Sequence, residues 1–80
     1  MFLTRKEATL LEIQPLSIHG SPYYDILYAY NEETDPKPQA ARIGGEMIYA
    51  GARPGDHVLI ERVAGVVTRV EKVREQGLVH

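Results

Sequence analysis

Apolar and polar residues alternate over several short stretches of this chain, which is the pattern of a strand with one buried face. Turn-forming glycine and proline residues separate these stretches. The pattern predicts five strands. They are a long first strand that runs through Pro15, then 23–30, 39–43, 57–62 and 66–72. The expected fold class is therefore mainly β.

The first segment has features of both a strand and a helix. Thr4 and Glu7 have the spacing of a helix capping box, and residues 6–14 have fair helix propensity. The same residues alternate like a strand, and the alternation resumes one residue out of phase after Pro15. A long strand with a break or bulge at Pro15 explains this shift, so we favour strand over helix.

The last two strands are expected to form a hairpin. A two-residue loop at 64–65 would place Ile60 opposite Arg69, which mixes apolar and charged side chains on one face. A three-residue loop at 63–65 places Ile60 opposite Thr68 and separates the faces better. We therefore expect the three-residue loop. It directs Val58, Ile60, Val66 and Val70 to the core and His57, Glu61, Arg69 and Glu71 to water.

The connections follow from glycine, proline and charge. Residues 31–38 are acidic and contain two prolines, so they form an exposed loop. The glycines at 44–45 end the third strand, and residues 46–49 form a single helical turn before a turn at 53–56. Residues 1–80 make one domain with its core at about 7–73, and 74–80 form a flexible tail, with a short helix at 71–76 as the alternative.

Three strands, a connector of helical character and two more strands resemble the OB-fold, and they are also similar to small SH3-like barrels. The resemblance covers the architecture of residues 7–72 and no motif of one family. It implies a small five-stranded barrel, because closure hides the edges of so few strands.

Composition and charge limit the class of protein. The chain has 80 residues and no cysteine, so it has no disulfide framework. Its net charge of −2 disfavours a protein that binds the nucleic-acid backbone in general. No apolar run approaches the ~20 residues of a membrane span, and the N-terminus lacks the apolar stretch of a signal peptide. We expect a cytoplasmic protein without a membrane partner.

No pattern of catalytic or metal-binding residues is evident. His19, His57 and His80 lie far apart, so a metal site is not expected. The serine and threonine hydroxyls have no evident neighbouring base, and the glycines at 44–45 lack the Lys-Ser/Thr of a phosphate loop. We expect a non-enzymatic protein without a cofactor.

The tyrosines allow two interpretations. Tyr24 and Tyr28 lie on one face of the second strand with Ile26, where they either fill the core or bind a ligand. The other face carries Asp25, which marks it as the wetter one. The candidate ligand-binding residues are Tyr23, Tyr24, Tyr28, Tyr30, Arg42, Arg62 and Arg69.

These observations leave two functions open. The first is a protein-interaction module or accessory subunit, with self-association through a sheet edge as a variant. The alternative is an OB-like domain that binds single-stranded nucleic acid, with tyrosines that stack on bases and arginines that contact phosphates. The acidic net charge favours protein interaction.

Overall fold

Five antiparallel strands form one sheet in the computed structural model, which describes residues 2–73. Their bounds are β1 Leu3–Ile18, β2 Ser21–Tyr30, β3 Gln39–Gly44, β4 His57–Val63 and β5 Val66–Lys72. A single 3₁₀ turn at Gly45–Met47 follows β3. The five strands and the helical turn of the sequence prediction are confirmed, whereas the predicted tail at 74–80 lies outside the described residues.

The strand order across the sheet is β3-β2-β1-β4-β5. β3 and β5 are the outer strands, and within residues 2–73 no ladder joins them. An isolated parallel bridge between Ile48 and Val70 links the segment after β3 to β5. The sheet is therefore not closed, and the five-stranded barrel stays a prediction.

β1 forms a strand rather than a helix because it pairs on both of its edges. Residues 3–9 pair with β4, and residues 8–18 pair with β2. The predicted break at Pro15 is wrong: Pro15 stays in register opposite Tyr24, and the shift lies at Leu11. Pro15 is tolerated because β4 does not extend that far, so no ladder on that side requires its missing N–H.

The two faces of β2 differ as the sequence predicts. Ile26 and Tyr28 are buried in the core, and Asp25 lies on the outer face. β2 begins at Ser21, so the turn before it has only two residues, 19–20. The buried residues form one cluster from all five strands and the connector: Ala8, Leu10, Ile26, Tyr28, Tyr30, Ile43, Ile48, Val58, Ile60 and Val70.

The β4–β5 hairpin has the shorter of the two loops, so the predicted register is wrong. Val63 pairs with Val66, and the loop consists of Ala64 and Gly65. Both loop residues have positive φ, 52° and 83°, as a type I′ turn requires. Val66 is 63% exposed, so its predicted place in the core is also wrong. The prediction is wrong because it rejected the two-residue loop for placing Ile60 opposite Arg69, which holds only for a hairpin without a bulge.

A β-bulge at Thr68 restores the apolar face of the hairpin. Arg62 pairs with Val67 and Glu61 pairs with Arg69, which leaves Thr68 as the extra residue. The Thr68 hydroxyl donates a 2.7 Å hydrogen bond to Glu61 Oε1. Beyond the bulge Ile60 lies opposite Val70 instead of Arg69, and Val58, Ile60 and Val70 are buried as predicted.

The turn at 53–56 attaches β4 to β1 and to the connector. The Asp56 amide donates to the Arg53 carbonyl at 3.2 Å, and the Leu10 amide donates to the Asp56 carbonyl at 2.9 Å. The Tyr49 hydroxyl donates a 2.6 Å hydrogen bond to Asp56 Oδ2. This bond is the main reason that the pKa of Asp56 lies below its usual range, while burial and the same bond raise the pKa of Tyr49.

The hairpin register predicts different costs for one substitution at two positions of β5. Val70→Ala empties space in the core and should lower the free energy of unfolding by about 2–3 kcal/mol. Val66→Ala should lower it by less than about 0.5 kcal/mol, because that side chain is largely exposed. Urea unfolding of both variants measures this, and equal losses would contradict the register.

The hairpin loop predicts opposite effects on stability for an alanine-to-glycine substitution at two sites. Ala64 has a left-handed backbone conformation that glycine adopts at lower cost. Ala64→Gly should therefore raise the free energy of unfolding by up to about 1 kcal/mol. Ala40→Gly, in the extended strand β3, should lower it by about 0.5–1 kcal/mol. Thermal unfolding checks both, and a loss at Ala64 would argue against the two-residue loop.

The Tyr49–Asp56 hydrogen bond predicts a pH-dependent effect on stability. The pKa of Asp56 is lowered in the folded state, so the bond stabilises the fold at neutral pH and this contribution is lost as pH falls through the folded pKa. Tyr49→Phe should therefore unfold more easily than the wild type at neutral pH, and the difference should shrink in strong acid. Urea unfolding across the acid range measures this, with Tyr23→Phe as control. A difference that is independent of pH would contradict it.

Candidate interaction surfaces

The seven predicted ligand-binding residues do not form one site. Tyr28 and Tyr30 are buried at 2% and 6% exposure, Tyr24 packs half-buried against the core, and Tyr23 lies on the opposite face of β2. The arginines Arg42, Arg62 and Arg69 lie on β3, β4 and β5. The fold therefore does not assemble a continuous platform of tyrosine rings flanked by arginines.

Tyr28 and Tyr30 form part of the core. Their rings meet edge to face, with centroids 5.4 Å apart and planes at 75°. Burial raises the pKa of Tyr28 to about 12, with a further contribution from the neighbouring Tyr30. Rings packed in this way have no open face on which a nucleic-acid base can stack.

The outer face of β1, β2 and β3 carries a shallow groove of about 510 Å³. Arg42 lies in it and donates two hydrogen bonds to Asp25, from Nε to Oδ1 at 2.7 Å and from Nη2 to Oδ2 at 3.0 Å. The pairing lowers the pKa of Asp25 and raises that of Arg42. Because Glu12 also lines the groove, its net charge is negative and it does not suit a phosphate.

A second surface, which we call the apolar end, consists of Phe2, Leu3, Val63 and Val66. Phe2 is 82% exposed, Leu3 53% and Val66 63%, the highest values of the large apolar side chains in residues 2–73. Strand pairing brings them together, since Leu3 lies opposite Val63 and Val63 opposite Val66. The Ala64 amide also donates to the Phe2 carbonyl at 3.0 Å.

Cations surround the apolar end. Glu61 lies between Arg5 and Arg69 in the next row of the sheet, and Arg5 Nη2 lies 3.1 Å from Glu61 Oε2. The hydrogen bonds from Thr68 and Arg5 lower the pKa of Glu61, so it is ionised at neutral pH. On the inner side, Lys6 and Arg62 add two more positive charges, so this end is basic although the chain is acidic.

A pocket of about 300 Å³ opens on the inner side of the apolar end. Its lining consists of Phe2, Thr4, Lys6, Tyr30, Arg62 and Gly65. Arg62 Nη2 donates to the Gly65 carbonyl at 3.0 Å, and Arg62 Nη1 donates to the Tyr30 hydroxyl at 3.4 Å. The bond to Tyr30 is also the main reason that the pKa of Arg62 is raised.

Sequence reasoning identified part of this surface and missed the rest. It singled out Arg62 and Arg69, but not Phe2, Leu3 or Lys6. The missing signal was the pairing of β1 with β4, which brings together residues far apart in the chain. β1 begins at Leu3, and extending the predicted strand that far toward the N-terminus would have placed Leu3 beside the hairpin.

Comparison with known proteins yields no match to this chain among protein-family models, curated proteins or solved structures. Within residues 2–73, no helix has the length and apolar character needed to cross a membrane. The same part of the chain contains no group of histidine and carboxylate side chains arranged to hold a metal ion.

Proposed function

We propose that this chain is a non-enzymatic binding module that docks a protein partner through its apolar end. The observation that carries the proposal is that the exposed Leu3 and Val66 flank Val63 on the outer face at one end of the sheet, with the exposed Phe2 at the same end on the inner side. Contiguous exposed apolar side chains rimmed by polar groups are typical of protein-interaction sites. Their burial against a partner would supply the hydrophobic core of the interface.

The charges around the apolar end favour a different protein as partner, rather than a second copy of this chain. A two-fold dimer through this surface would bring Arg5, Lys6, Arg62 and Arg69 of both copies together. Like charges across an interface cost several kcal/mol in disfavoured pairings. The partner that fits has an apolar patch bordered by carboxylates.

We also infer that the curled sheet acts as a small, partly open barrel of the OB type. The bridge from Ile48 to Val70 supports this inference, because it links the segment after β3 to β5, the other outer strand of the sheet. Such a scaffold would hold the three strand ends of the apolar end, from β1, β4 and β5, rigidly in place.

Single-stranded nucleic acid is the alternative ligand. The four cations around the apolar end favour nucleic acid. The burial of Tyr28 and Tyr30 and the pairing of Arg42 with Asp25 remove most of the contacts expected with it. We rank it second because the cations flank exposed apolar side chains and belong to a chain of net charge −2.

The test compares one added charge at two exposed apolar positions. Val66→Glu removes an apolar contact and repels a carboxylate rim, whereas Met47→Glu places the same charge at a distant site that is 36% exposed. A protein retained by the immobilised wild-type chain is purified, and its affinity is measured by calorimetry. We expect Val66→Glu to weaken binding at least about tenfold and Met47→Glu to leave it unchanged.

Two outcomes would contradict the proposal. Equal losses in both variants would show that binding does not involve the apolar end. A concentration-dependent dimer in sedimentation equilibrium, abolished by Val66→Glu, would show that a second copy occupies this surface. Circular dichroism and thermal unfolding of both variants control for loss of the fold.

A further inference from the structure

Arg62 retains unused hydrogen-bonding capacity. A guanidinium has five N–H donors, and residues 2–73 accept from two of those of Arg62, through Tyr30 and Gly65. Both acceptors are neutral, and Nε is buried without any hydrogen-bond partner in the described chain. A half-buried cation without a counter-ion loses hydration that only a nearby anion replaces well.

Lys6 provides a second positive charge at the same pocket. It is exposed, and its Nζ lies 5.5 Å from the centroid of the Tyr30 ring, whose hydroxyl accepts from Arg62. Tyr30 therefore contacts both cations, and all three residues line the same pocket. The six lining residues include no carboxylate, so the pocket combines two cations, a hydroxyl at Thr4 and an apolar wall at Phe2.

We propose that this pocket binds a carboxylate side chain, an aspartate or glutamate of the protein partner. The inference rests on the proposed function and names the group that the partner inserts beside the apolar end. Arg62 presents a planar fork that matches the two carboxylate oxygens, and Lys6 adds a point charge. Phe2 packs against the apolar part of the partner's acidic residue or its neighbour.

A single carboxylate fits the surroundings better than a phosphate backbone. Glu7 and Glu32 line the adjoining depression, next to Arg5 and Lys6. These acids would repel the successive charges of an extended polyanion, whereas an isolated acid surrounded by apolar side chains avoids them. The pocket would therefore bind an acidic side chain of the partner, and the apolar end would bind the apolar side chains next to it.

The experiment titrates the isotope-labelled chain with two hexapeptides followed by NMR, one of alternating leucine and glutamate and one of alternating leucine and glutamine. The glutamate peptide should shift the Arg62 side-chain Nε–H resonance and the Lys6 amide, and it should bind at least about tenfold more tightly. A short oligothymidylate is titrated in parallel as a phosphate probe.

Variants separate a local carboxylate site from general charge attraction. Lys6→Gln should weaken binding of the glutamate peptide about fivefold or more, whereas Lys37→Gln, the same change in the exposed loop after β2, should not. Arg62→Lys keeps the charge and removes the fork, so it should also weaken binding. Lys6 is exposed, which keeps the test valid even if an Arg62 variant fails to fold.

Each contrary result has a distinct meaning. Equal effects of Lys6→Gln and Lys37→Gln, or tighter oligothymidylate binding at the same resonances, would overturn the carboxylate site. Equal affinity for both peptides, lost in Val66→Glu, would overturn it while the apolar end stands as the docking surface. Absence of any shift of the Arg62 resonance with the glutamate peptide would also overturn the inference. The proposed function is tested separately, by the calorimetric comparison of Val66→Glu and Met47→Glu.

Discussion

The double pairing of β1 is the constraint on which the rest of this structure depends. β1 is the central strand of the sheet; its first half pairs with β4 and its second half pairs with β2. Backbone groups buried in a sheet must be paired, so every other strand takes its position from β1 directly or through one neighbour. Both the buried cluster and the apolar end are consequences, because residues 3–9 pair with β4.

Two bulges allow this small sheet to keep one apolar face. At Leu11 the bulge changes the phase of β1, so that Leu10 and Ile13 both pack on the core side. At Thr68 the bulge returns Ile60 and Val70 to one face after a tight loop. Each bulge adds one residue to one strand and bends it, which also lets the sheet curl.

The sequence indicates the strands well and the bulges poorly. Alternation shows that the phase of β1 changes, but the bulge that changes it could lie at any of several neighbouring residues. The sequence favours Pro15 for this bulge, whereas the structure has it at Leu11. In the hairpin, Val58, Ile60 and Val70 are predicted correctly as core residues from the wrong register, because the bulge at Thr68 compensates for the shorter loop, whereas Val66 is not. Local rules also favour the capping signal at Thr4, which pairing with β4 overrides.

The candidate site was harder to predict than the fold for a related reason. The burial of Tyr28 follows from the need of a small core for large side chains, and the sequence already offered that interpretation. The neighbourhood of Lys6 and Arg62 depends on a long-range pairing register, since one residue of slip would move either side chain to the other face. Composition and charge totals contain no trace of such a local basic surface.

Pro15 has a consequence for how this chain avoids unwanted assembly. Beyond Thr9, β1 has no ladder partner other than β2 among residues 2–73, so its second half leaves one strand edge open. An incoming strand from another molecule would need donors along that edge, and a proline offers none. Pro15 therefore disfavours the addition of a further strand at this edge, and it does so without interrupting the pairing with β2.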